Sequence, residues 1–170
     1  MSVTINYSKN SKNKLSGNIV LFVNEKFNTS NLNKYTSKDE LSYINDLLKN
    51  HDLKKNILVF ELNSKKKIIL ISVKKELKSF DIENLGAELY SKVNYEKKSE
   101  YLIIADSLPD NKRNFVGFFL HGLRLRAYEF NKYKTKKEAK NIVFNVTGNK
   151  NLPSIKEISK FKALEEGTFY

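Results

Sequence analysis

Cysteine is absent from the 170 residues. Disulfides, thiolate nucleophiles and cysteine-ligated zinc are thereby excluded. The absence also suits a reducing compartment, where disulfides do not persist. Histidine is reduced to His51 and His121, in separate elements and without HExxH spacing. A hydrogen-bonded packing role for His121 is preferred over a catalytic one. The glycines at 17, 86, 117, 122, 148 and 167 are isolated, so no GxGxxG or GxxxxGK[ST] cradle for a phosphate is present, nor a GxSxG elbow. The carboxylates are scattered. Asp39 and Glu40 look like helix-start charges, and Glu165 and Glu166 like a solvated face. No catalytic residue, metal ligand or cofactor site is therefore assigned to the chain. The longest apolar runs, Ile19–Val23 and Ile68–Ile71, are far too short to span a bilayer. Met1 to Lys14 lacks the apolar core of a signal peptide. A cytoplasmic location and no membrane partner are expected.

What is abundant is lysine. The formal net charge is +12, yet arginine occurs only at Arg113, Arg124 and Arg126. Such an excess suits a polyanion partner. Nucleic-acid readers, however, usually lean on arginine for bidentate contacts. Lysine, asparagine, isoleucine, phenylalanine and tyrosine share A/T-rich codons, so a base-composition bias would raise them together. The best polyanion candidate is the cluster Lys132, Tyr133, Lys134, Lys136 and Lys137. There an aromatic ring can stack on a base while the lysines neutralise phosphate. A solvated helix-to-strand connection is the competing reading. The groups Lys65-Lys66-Lys67, Lys74-Lys75 and Lys97-Lys98 read as solvated turns and strand ends.

At this length a chain buries roughly 70% of the surface its unfolded form exposes, so one domain needs no staple. Apolar alternation predicts a first strand at 3–7. The continuous run 19–23 predicts a strand covered on both faces. Ser37 and Glu40 have capping-box spacing ahead of Leu41, Ile44, Leu47 and Leu48, which predicts a helix over 37–50. Strands follow at 57–62 and 67–73, joined by a connection of hairpin length and so antiparallel. A helical stripe runs from Ile82 to Val93, then a short buried strand over 101–105.

The segment 111–130 predicts a helix apolar nearly all round. Its narrow remaining face carries Asn114, Gly117, His121, Arg124 and Tyr128. Such a helix must be buried on more than one side, and Gly117 and Gly122 invite close backbone packing. A strand at 142–146 and a last helix beginning near Pro153 complete the order β-β-α-β-β-α-β-α-β-α. That alternation predicts an α/β fold, a three-layer α/β/α sandwich around a mixed sheet.

The stretch from Phe118 to Lys137 carries a resemblance. Tyr128, Phe130, Tyr133, Lys134, Thr135 and Lys136 follow the order Tyr-x-Phe-x-x-Tyr-Lys-Thr-Lys. This is similar to the segment near the end of the N-terminal domain of the leucyl (cytosol) aminopeptidases, peptidase family M17. The ending Ala163 to Tyr170 resembles the helix that precedes the catalytic domain in that family. The resemblance implies a macro-domain-like fold and residues 1–170 as a single N-terminal domain, with the catalytic domain absent from this chain. It implies a metallo-exopeptidase that removes N-terminal residues from peptides. Two divalent metal ions, of zinc or manganese type, would lie in that missing domain. It also implies a hexamer, with this domain supporting assembly and access to the active sites. The implied partners are the chain's own catalytic domain and other subunits, with nucleic acid possible because some members bind DNA. Two alternatives stand beside this reading: a nucleic-acid-binding module and a macro-like nucleotide binder. The missing glycine-rich loops count against the latter, since close backbone approach to a pyrophosphate needs glycine.

Overall fold

The computed structural model describes residues 3–9, 17–95, 98–112, 114–132 and 141–169. Strands β1 (Val3–Ser8), β2 (Asn18–Asn24), β3 (Ile57–Asn63), β4 (Lys66–Val73), β5 (Lys98–Ile104) and β6 (Asn141–Thr147) form one sheet in the order β1-β6-β5-β2-β4-β3. All neighbours are parallel except β3 and β4, the antiparallel pair that the short connection predicts. The helices are α1 (Lys38–Leu48), α2 (Ser79–Val93), α3 (Phe115–Lys132) and α4 (Ile155–Phe169). The predicted element order is the observed one, with α3 starting later than expected and α2 one turn earlier.

The sheet separates two cores because side chains alternate along each strand. On β2, Val20 and Phe22 face one core, while Ile19, Leu21 and Val23 face the other. All five are essentially fully buried, which accounts for the unbroken apolar run. The larger core lies beneath α2 and α3, and the smaller takes in Ile44 and Leu48 of α1. Edge strand β1 buries one face only, which is why its sequence alternates.

Helix α1 begins as its sequence dictates. The Ser37 hydroxyl accepts the Glu40 amide at 3.2 Å, and Glu40 Oε2 accepts the Ser37 amide at 3.1 Å. Helix α3 is anchored to the sheet by rings. Phe22 of β2 meets both Phe115 and Phe119 edge-on, with centroids 5.3 Å apart in each case.

The closest approach is between α2 and α3. A Cβ placed on Gly86 would collide with the carbonyl of Phe119, and one on Gly122 with the carbonyl of Glu83. The two backbones therefore lie against each other through the positions where each helix has no side chain. Each glycine costs about 1 kcal/mol of helix propensity against alanine, which the close crossing offsets.

Gly86→Ala and Gly122→Ala should each destabilise the chain by about 1–3 kcal/mol despite the gain in propensity, because backbone must move. Gly167→Ala, with nothing within 4 Å, is the control. It should be neutral or stabilise by up to about 1 kcal/mol. Urea denaturation of the three variants decides. Equal effects would mean that the crossing is not tight.

Candidate functional site

The narrow polar face of α3 is where the apolar helix departs from its pattern, and α4 covers it. A Cβ on Gly117 would run into the Glu157 carboxylate and, at 2.8 Å, Phe161. One and two turns on, His121 and Arg124 converge on Glu165. His121 Nδ1 lies 3.1 Å from Glu165 Oε1, and an Arg124 guanidinium nitrogen donates to Glu165 Oε2 at 2.9 Å. Glu165 is 5% exposed and His121 8%. The Phe161 ring sits against the imidazole at 4.9 Å and against Phe118 at 5.1 Å. A carboxylate this buried is tolerated because both its oxygens are held, one by a permanent cation.

The expectation that Glu165 belongs to a solvated face is thus overturned, because α4 turns that residue inward. Its position was legible. Ile158, Phe161 and Glu165 recur at three- and four-residue steps, placing an acid on an apolar stripe. His121 is the hydrogen-bonded packing histidine that the sequence favours.

The seam offers no room for a substrate. The cavity against it measures about 10 Å³, lined by Tyr7, Gly117, His121, Arg124, Phe161 and Glu165 among others. That is space for roughly one water. Burial raises the Tyr7 phenol above its usual range, Arg124 opposes the rise, and Glu165 and Glu157 add to it. Burial likewise raises the Glu157 carboxyl; the Ser154 cap amide and Lys160 oppose it. Its Oε1, wedged over Gly117, is buried and has no hydrogen-bond partner among the described residues. Among those residues no group of three histidine, aspartate or glutamate side chains converges as a metal ion would require. The arrangement is a clamp that fixes α4 on α3.

The lysines divide. Lys66 is not on a solvated turn, contrary to the expectation from its run. It is buried, with its Nζ 2.7 Å from Glu40 Oε1. Burial alone would raise Glu40, but the hydrogen bonds from Lys66 and Ser37 hold its carboxyl below the usual range. Lys67 Nζ contacts the Tyr95 hydroxyl at 3.1 Å and lies over its ring. Of the proposed polyanion cluster, Lys132 lies exposed at the end of α3, while Tyr133, Lys134, Lys136 and Lys137 fall outside the described residues. An open cleft of about 470 Å³ between α2 and α3 is lined by Glu83, Glu88 and Glu129 with Arg126, the wrong sign for a polyanion. Among the described residues no helix is long and apolar enough to cross a membrane.

At the C-terminal edge of the sheet, Asp106 follows β5 and Ser107 ties its turn to β2. The Ser107 hydroxyl accepts the Phe22 amide at 2.8 Å and donates to the Ile104 carbonyl at 2.6 Å. Neither residue stands out in the sequence beyond a turn-like Ala-Asp-Ser-Leu-Pro segment after a strand.

The N-terminal-domain model of the cytosol aminopeptidase family matches residues 19–137. The chain superposes on a mutant of tomato leucine aminopeptidase with a TM-score of 0.67 and 14% identity. That match covers 98% of this chain and 36% of the tomato protein. The macrodomain of Thermus aquaticus DarG matches with a TM-score of 0.52 and 9% identity, over 85% of this chain and 99% of the other. No curated protein sequence matches. At these identities the two structures speak for the fold, which is macro-domain-like as the resemblance implied.

Removing the clamp should loosen α4 first. Glu165→Ala leaves His121 and Arg124 facing a buried void and should cost about 2–4 kcal/mol, less than a sealed ion pair because Arg124 is partly exposed. Hydrogen exchange should quicken along α4 before the sheet; uniform exchange would rule out a local clamp.

The two shifted carboxyls have opposite pH signatures. Glu40 is lowered from 4.5, so its contribution is complete above that pH and is lost as pH falls through its folded value. Glu157 is raised from 4.5, so its ionisation costs stability at neutral pH and the cost vanishes on acidification. Glu40→Gln should therefore destabilise at pH 7 and Glu157→Gln stabilise, both effects fading in acid. Thermal unfolding across pH 3 to 7 reads both signs, and either sign reversed refutes that assignment.

Proposed function

Since the chain belongs to the cytosol aminopeptidase family and is its N-terminal domain, we propose that it serves as a non-catalytic scaffold for a leucyl aminopeptidase-like metallo-exopeptidase. The catalytic work, removal of N-terminal residues from peptides with two divalent ions, falls to a domain that this chain does not contain. The tomato enzyme to which it is similar is covered over 36% of its length. In this reading residues 1–170 form one domain, act in the cytoplasm, and support hexamer assembly and access to the active sites.

The observation that carries the reading is the clamp on α4. Glu165 is held by two α3 side chains, so α4 has a fixed direction relative to the sheet. Ile155 at 85% exposure and Leu164 at 50% stand open on opposite flanks of α4, nine residues apart. A rigid helix transmits orientation, which is what a domain that shapes access must do.

Two measurements test this. An antibody against this domain should detect, in source cells, a polypeptide well above 19.8 kDa. The purified chain supplied with manganese or zinc should leave leucine amides intact. A native band at 19.8 kDa, or metal-dependent hydrolysis by the chain alone, would overturn the reading.

A further inference from the structure

Asp106 lies in a single 3-10 turn, Ala105–Ser107, at the end of β5. Its carboxylate accepts three consecutive backbone N–H groups from the loop after β6. Asn149 donates to Oδ2 at 2.7 Å, and Lys150 and Asn151 donate to Oδ1 at 3.0 and 3.3 Å. Successive amides aimed at one point make a concave cradle of partial positive charge, the backbone geometry that binds phosphate and carboxylate groups. The cradle stands beyond the carboxyl ends of parallel strands β5 and β6, where open α/β sheets receive their ligands.

The fit is close on every side. A Cβ on Gly148 would come within 2.9 Å of Asp106 Oδ1 and 3.1 Å of the Ala105 side chain. Asn151 Nδ2 donates to the Ala105 carbonyl at 3.3 Å, and the Gly148 amide donates to Ser8 at 3.3 Å. The loop is therefore held by contacts other than the carboxylate, as the turn is by Ser107. The charge of Asp106, after burial, also helps raise the Tyr35 phenol, which places that ring within its field.

We infer that the amides of Asn149, Lys150 and Asn151 form an oxyanion site of phosphate type that the chain fills with its own Asp106 carboxylate. Tethered one strand away, Asp106 acts at a high effective concentration that free phosphate does not match. The native cradle is closed, and it opens when the carboxylate is removed. This site is independent of the scaffold role proposed above.

The test is nitrogen-15 NMR of the full chain and of Asp106→Gly, titrated with inorganic phosphate against chloride at constant ionic strength. In the variant, the amides of Asn149, Lys150 and Asn151 should shift saturably in the millimolar range, and the melting temperature should rise with phosphate. The native chain should show neither change at these positions. Unmoved amides in the variant overturn the inference. So do equal shifts in the native chain, which would assign phosphate to the general lysine charge. Where Asp106→Gly does not fold in chloride, recovery of the folded state in phosphate is read instead. Rescue by phosphate and not by chloride supports the site, and no rescue refutes it.

Discussion

The backbone-to-backbone approach of α2 and α3 sets the positions of most of what lies on the larger face of the sheet. It exists because Gly86 and Gly122 remove the Cβ atoms that would otherwise strike the opposing carbonyls. With α2 this close on one flank, α3 can press Phe115 and Phe119 onto Phe22 of the central strand. The circumference left over is the polar face of Gly117, His121 and Arg124, and α4 is received there. A helix apolar nearly all round is stable in water only with such multiple cover. The position of α4 thus follows from two glycines on a different pair of helices.

Net charge is a poor guide to the interior of this protein. In a chain with 31 basic and 19 acidic side chains, the minority sign does the internal work. Glu40 completes a helix cap and also holds the buried Lys66. Glu165 satisfies two α3 side chains, and Asp106 satisfies three backbone amides. A carboxylate with two oxygens accepts several donors at once, so one acid organises several elements. Much of the lysine excess decorates the surface instead, and the open cleft beside α2 is acidic.

The fold is shared with part of a leucine aminopeptidase and with a macrodomain at 14% and 9% identity. Architecture survives such divergence because it rests on strand order, apolar faces and right-handed crossovers, which many sequences satisfy. Chemistry rests on particular side chains at particular points. At the carboxyl edge of β5 and β6, an internal carboxylate holds three consecutive backbone amides. Likeness of fold by itself therefore assigns no ligand.

The sequence by itself determined the elements and their order. Periodicity identified the strands, the doubly covered β2 and the one-faced β1, the Ser37–Glu40 spacing placed a helix start, and a short connection made β3 and β4 antiparallel. The near-complete apolar surface of α3 showed that it must be covered on several sides, and its glycines marked close packing. These are local properties, written within a few residues of chain. Tertiary structure alone decided the partners. Glu165 meets His121 across 44 positions, Asp106 reaches the amides of Asn149 to Asn151 across 43 to 45, and Glu40 reaches Lys66 across 26. Periodicity reports which face a residue occupies, and it is silent on what that face will meet. An acid on an apolar stripe and a lysine in a basic run read as solvated until a distant segment closes over them.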